Sequence, residues 1–189
     1  MKKLFFFFLI INLISNQSYA DDIKDFQIEG MSIGDSLLKY ASKNEIEKYK
    51  KFYPGSKKWS RYSDRNENFK TYEGFQVHFK NNDSKYTILA LQGMKLFENN
   101  IKDCYVLKDE IVNELSNSFP KLKKESWKKK HVGDKTGKST TDNTAFKHKD
   151  GWELVVTCSD WSPDTEFTDK ISVSIVTKEF LDWIEDEAY

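Results

Sequence analysis

The chain carries no charge excess, no long apolar run beyond its first 20 residues and almost no cysteine. Thirty basic residues face thirty acidic ones among 189. Without surplus positive charge to displace counterions from phosphates, general nucleic-acid binding is excluded as an expected role. No stretch after residue 20 is apolar for long enough to span a bilayer, so no stable membrane insertion is expected once the first segment is gone. Two cysteines and three histidines, at spacings that match no zinc site, imply no metal and no cofactor. Disorder is also excluded: after residue 20, Leu, Ile, Val and Phe supply 38 of 169 residues, enough to build a core.

The amino terminus is apolar and short. Lys2 and Lys3 precede a run from Leu4 to Ile14 broken only by Asn12, and Ser18-Tyr19-Ala20 places small residues three and one before a cut. Eleven helical residues rise about 16 Å, roughly half a hydrocarbon core. The segment 1–20 is therefore expected to be a signal peptide cleaved after Ala20, leaving residues 21–189 as one domain in the periplasm or secreted. Removing two lysines leaves 28 basic against 30 acidic residues, a net charge of −2. No cysteine lies near the cut, so a lipid anchor has no acceptor there. The Lys-, Asn-, Ile- and Phe-rich style fits a bacterial source.

Periodicity then predicts short elements. Leu37, Leu38 and Ala41 follow Asp35 at helical spacing, and Ser42 with Glu45 forms a capping box for a helix ended by Pro54-Gly55. Residues 56–68 read as a surface connection anchored by Trp59 and Tyr62. Phe75, Val77 and Phe79 alternate with polar neighbours, and a return strand is expected from Tyr86 to about Phe97. Cys104, Leu107, Ile111, Leu115 and Phe119 share one stripe of the longest helix, which Asn100 caps and Pro120 follows. Strands are expected over 124–132, 144–149, 152–159 and 171–177, and a last helix from Lys178. The fold class predicted is α+β, an antiparallel sheet of about five or six strands covered on one face by helices.

Several motifs suggest chemistry. Gly34-Asp35-Ser36-Leu37 spells the signature of the GDSL esterases, which would make Ser36 the catalytic nucleophile of a serine hydrolase. A serine nucleophile needs a base in hydrogen-bond reach, which that family places in Asp-x-x-His. Phe75, Lys128 and Ala145 stand three residues before the histidines here, so Asp35 as a helix cap with Ser36 first in the helix is the better expectation. Gly133 to Ser139 approaches a phosphate-binding P-loop but has three residues between its glycines where four are required, and a hairpin loop is expected instead. Lys124, Lys128 and Lys130, with Trp127 among them, form a basic run that is either a binding surface or an edge strand protected from pairing. Asp160, Asp164, Glu166 and Asp169 crowd one loop at spacings that fit no calcium-binding hand. Cys104 and Cys158 are expected to form a disulfide, because an exported chain meets an oxidising compartment and both lie on apolar faces of elements that would pack together.

Residues 28–37 (Ile-Glu-Gly-Met-Ser-Ile-Gly-Asp-Ser-Leu), 99–105 (Asn-Asn-Ile-Lys-Asp-Cys-Tyr) and 176–180 (Val-Thr-Lys-Glu-Phe) together resemble an uncharacterised family of small exported bacterial proteins, which implies no particular activity. More distantly, Gly30-Met31-Ser32 ahead of short helices and strands is similar to the small-lipoprotein domain of the outer-membrane β-barrel assembly machinery and to the β-lactamase-inhibitor fold. That similarity implies a non-enzymatic binding module for an envelope component, with a protein of the envelope as the favoured partner. The alternatives are a serine hydrolase built on Ser36, and a polysaccharide-binding domain presenting two or three of Trp59, Trp127 and Trp161 on one surface.

Overall fold

A computed structural model of the chain describes residues 23–65, 69–98 and 100–188; the expected signal peptide and its cut after Ala20 lie outside them. In chain order the elements are α1 (Lys43–Tyr49), β1 (Lys51–Phe52), β2 (Trp59–Asp64), β3 (Gly74–Lys80), β4 (Ala90–Leu96), α2 (Ile101–Ser118), β5 (Lys123–Lys130), β6 (Thr140–Lys147), β7 (Glu153–Asp160), β8 (Lys170–Val176) and α3 (Lys178–Asp186). One eight-stranded sheet joins all the strands in the order β1-β2-β3-β4-β8-β7-β6-β5. Every neighbouring pair is antiparallel. The α+β class holds, but there are eight strands, not five or six.

Of the two added strands, β2 comes from residues expected to be a connection and β1 from the end of the stretch expected to be helical up to Pro54-Gly55. Trp59 and Tyr62 stand three apart, so a strand sends them to opposite faces, and here both faces are covered. Tyr62 joins the core that holds Ile46 of α1, whereas Trp59 belongs to a second core with Phe180 and Trp183 of α3. The return strand also starts late, at Ala90 rather than Tyr86. Asp83 accepts hydrogen bonds from the amides of Lys85 and Thr87, Tyr86 takes a left-handed φ of 49°, and residues 86–88 pair with residues 34–37 instead.

Alternation sorts the sheet into two faces. Val77, Leu91, Ile175, Leu154 and Val156 point one way into the large core, where α2 delivers Cys104 and Leu115. Cys104 bonds Cys158 of β7, with Cα atoms 6.0 Å apart. Ala90 and Val176, one residue out of phase, point the other way and pack beneath α3. Helices therefore lie on both faces, not one. Thr177 caps α3 directly at the end of β8, its hydroxyl accepting from the Phe180 amide and donating to the Leu89 carbonyl at 2.8 Å. Nine residues of α3 span about 14 Å, while seven strand spacings span about 34 Å. Most of the second face is consequently left without a helix.

Candidate functional site

The face that α3 leaves without a helix carries polar side chains in rows set by the strand register, with Ser172 and Asn143 of the second row buried. One row runs Ser63, Gln76, Gln92, Ser174 and Val155 across β2, β3, β4, β8 and β7. Within it the Gln76 amide donates to Ser63 Oγ at 2.8 Å and the Gln92 amide to Ser174 Oγ at 3.1 Å. The next row runs Met94, Ser172, Thr157, Asn143 and Trp127, with Thr157 donating to the Asn143 side-chain oxygen at 3.0 Å. Where the first row meets α3 there is a cleft of about 210 Å³ lined by Tyr53, Arg61, Gln76, His78, Gln92 and Ser174, among others. Beyond the far end of the rows, Trp161 packs against His131 and Phe167 in tilted contacts, with ring centres 3.9 and 4.4 Å away.

Three cations flank the glutamine row. Arg61 on β2 lies over the Tyr53 ring, 5.6 Å from its centre. Arg65, just past β2, runs across Gly74, where any Cβ would sit 3.0 Å from its side chain. Lys170 of β8 reaches the sulfur of Met94, the register partner of Gly74, at 3.8 Å. Burial holds Lys170 below the usual lysine pKa, and the like charges of Arg65 and Arg61 depress it further. Among the described residues no carboxylate makes an ion pair with Arg61, Arg65 or Lys170. His78, buried beside Arg61 and hydrogen-bonded through Nδ1 to the Tyr53 hydroxyl, is pushed down to about 3, first by desolvation and then by that guanidinium, so it is uncharged at neutral pH. The arrangement offers donors and positive charge: Asp64 accepts from the Arg65 amide and Glu73 from the Leu96 amide, and neither carboxylate pairs with a cationic head group of the three.

Ser36 and not Asp35 is the helix cap. Its Oγ donates to the Lys85 carbonyl at 2.6 Å and accepts from the Leu38 amide at 3.3 Å, at the start of a 3-10 turn over Leu37–Lys39. Asp35 instead accepts from the Ser32 amide and the Tyr40 hydroxyl and pairs with Lys39, while its carbonyl accepts from the Ile88 amide. The three histidines lie elsewhere: His78 on β3, His131 against Trp161, and His148 stacked on Trp152 at 4.7 Å.

The lysine run is the edge strand β5. Lys124 and Lys128 lean toward α2, with Lys128 5.6 Å from the centre of the Tyr105 ring, while Trp127 points to the opposite face and is 37% exposed. Register puts Lys124, Lys128 and Lys130 on the α2 side, so Trp127 does not join them in one surface. Of the other tryptophans, Trp59 is buried beneath α3 and Trp161 is part-covered by its ring neighbours. The loop 133–139 does gather amides, but Asp134 fills it, accepting from the backbone of Thr136, Lys138 and Ser139. The Ser139 hydroxyl, which also donates to Asp134, and then the Ser139 amide and the Thr136 hydroxyl and amide hold its carboxyl well below the usual carboxylate range. In the acidic loop Asp164 pairs with Lys138 at 2.5 Å and Asp169 accepts from the Trp161 amide at 2.7 Å. Among the described residues no group of three metal-binding side chains converges, and no helix is long and apolar enough to cross a membrane.

Reading the sequence for motifs missed Arg61, Arg65, Lys170, Gln76 and Gln92, since polar residues alternating along a strand look like an ordinary solvated face. One signal was present: of thirty basic residues only two are arginines, and they stand four apart in one segment. Comparison of the chain with family models, with curated proteins and with solved structures gives no match.

Proposed function

We propose that this protein is a non-enzymatic binding module for another component of the cell envelope, with protein the favoured partner, and that the open sheet face is where the partner docks. The observation that supports this reading is the face itself, a rigid eight-stranded platform that α3 covers at one end only, with polar side chains in register and a cleft at the helix boundary. Sites carried on strands hold their geometry better than sites on loops, which suits recognition. The Cys104–Cys158 bond is in keeping with an oxidising compartment, and hence with a periplasmic or secreted location. Ser36, engaged by Lys85 and Leu38, has the surroundings of a helix cap and not those of an activated nucleophile.

Cross-linking of tagged protein in native envelope extracts tests the reading. Gln92→Trp, which fills the cleft, should abolish recovery of the cross-linked partner, while Val106→Lys on the exposed side of α2 should leave it unchanged. Equal recovery with both variants would remove the open face as the docking surface. Fluorophosphonate labelling that disappears in Ser36→Ala would replace the reading with a serine hydrolase.

A further inference from the structure

We propose that the open face recognises an acidic peptide segment, seating a carboxylate among Arg61, Arg65 and Lys170 above the Gln76–Gln92 row. This rests on the binding-module reading and names the chemistry of its ligand. In a chain with 28 lysines, the two arginines converge on one sheet face with a partly buried lysine, and none of the three has an ion-pairing carboxylate among the described residues. Holding like charges together over a polar surface is unfavourable until an anion arrives, and Lys170 already registers that repulsion. Guanidinium groups bind carboxylates through two parallel N–H donors, which favours arginine over lysine at such a point.

The rest of the surface favours a peptide over other anions. A cleft of about 210 Å³ is below the range of roughly 300–1,000 Å³ usual for small-molecule sites. It takes one or two side chains. Gln76 and Gln92 present amides that both donate and accept, matching a peptide backbone laid across the strands. Phosphate sites draw on free backbone amides, whereas the amides of β2, β3, β4 and β8 face their neighbours in the ladder and the first turn of α3 is capped by Thr177. A sugar platform needs exposed rings, and the rings at the cleft, Tyr53 and Phe180, are buried.

Fluorescence anisotropy with a labelled eight-residue peptide of alternating glutamate and glycine tests the proposal. The wild-type chain should bind it, at least tenfold less tightly at 300 mM than at 50 mM salt, and should not bind the glutamine-for-glutamate peptide. Arg65→Gln, at an exposed position, should weaken binding several-fold, and Arg61→Gln with Arg65→Gln at least tenfold, both with unchanged melting temperatures; Arg65→Lys should restore only part. Wild-type affinity in the double variant would overturn the proposal. So would binding of polygalacturonate with no binding of the peptide, which would assign a polysaccharide, or full competition by millimolar inorganic phosphate, which would assign a simple anion site. Loss of envelope cross-linking in Gln92→Trp alongside failure of the glutamate peptide would discard the carboxylate chemistry and leave the docking face standing.

Discussion

His78 illustrates how burial sets chemistry at a single residue. It sits in β3 between Arg61 and Ala90 in the register and packs against Phe180 at a tilt, with ring centres 4.6 Å apart. Desolvation and the adjacent guanidinium both penalise the imidazolium, which takes the group down to about 3 from 6.5. The folded state therefore excludes a proton that the unfolded chain accepts below about pH 6.5. Stability is complete above that pH and declines as the pH falls from 6.5 toward 3, by up to about 1.4 kcal/mol per pH unit. Ordinary carboxylates titrate well below ordinary histidine, so a loss of stability that begins near pH 6.5 points to histidine. Thermal melts from pH 7 to 4.5 should show the wild-type melting temperature falling across this range, and His78→Gln, though less stable at pH 7, falling less. Parallel curves would show that His78 is not the origin. A residual slope in the variant is expected from His131, which burial, and then Lys170, also hold below the usual range.

Among elements, α3 decides what stays open, and its position depends on one threonine. The Thr177 hydroxyl both closes the first turn of α3 and ties the helix to the Leu89 carbonyl. Thr177→Ala should lower stability by about 1–2 kcal/mol in urea unfolding, and Thr177→Ser should restore most of it. A neutral effect would show that the apolar contacts of Phe180 and Trp183 hold the helix unaided. That α3 exists was legible in the spacing of Phe180, Leu181 and Ile184, as α2 was in its Cys104–Leu115 stripe and the capping box of α1 in Ser42 and Glu45. Strand β7 was legible because one-sided burial prints a period of two, and β3 from the alternation of Phe75, Val77 and Phe79 with polar neighbours, whereas β6 was legible only in its second half. Strand β2 was not, because Trp59 and Tyr62 are buried on opposite faces by different helices, which erases the alternation. The edge position of β5 was suggested by its lysines, but the helix-free part of the second face was not, because polar residues alternating along a strand have the same pattern whether or not a helix covers them. Only the pairing of strands distant in sequence, β4 with β8, assembles Gln92 with Ser174 and carries Lys170 toward Arg65.

At the scale of the whole molecule, the two sheet faces differ in what they carry. The large core and the disulfide lie on the α2 face, and the polar rows with their cations lie on the other. Cys104 and Cys158 are 54 residues apart, and closing a loop of that length stabilises the native chain by roughly 4 kcal/mol in the chain-entropy model. For a chain of this size each kcal/mol shifts the melting temperature by about 2–4 °C, so reduction should lower it by roughly 10 °C. Calorimetry with and without a reducing agent, and on a Cys104→Ala, Cys158→Ala double variant, measures this; a shift of a degree or two would mean that α2 is held by packing of Leu115 and its neighbours and owes little to the bond. The division between faces adds a second expectation. Because β7 separates Cys158 on one side from Val155 and Thr157 on the other, reduced protein kept well below its melting temperature should bind the glutamate peptide as tightly as oxidised protein. Weaker binding in the reduced, still-folded protein would show that the disulfide sets the shape of the open face through the sheet itself.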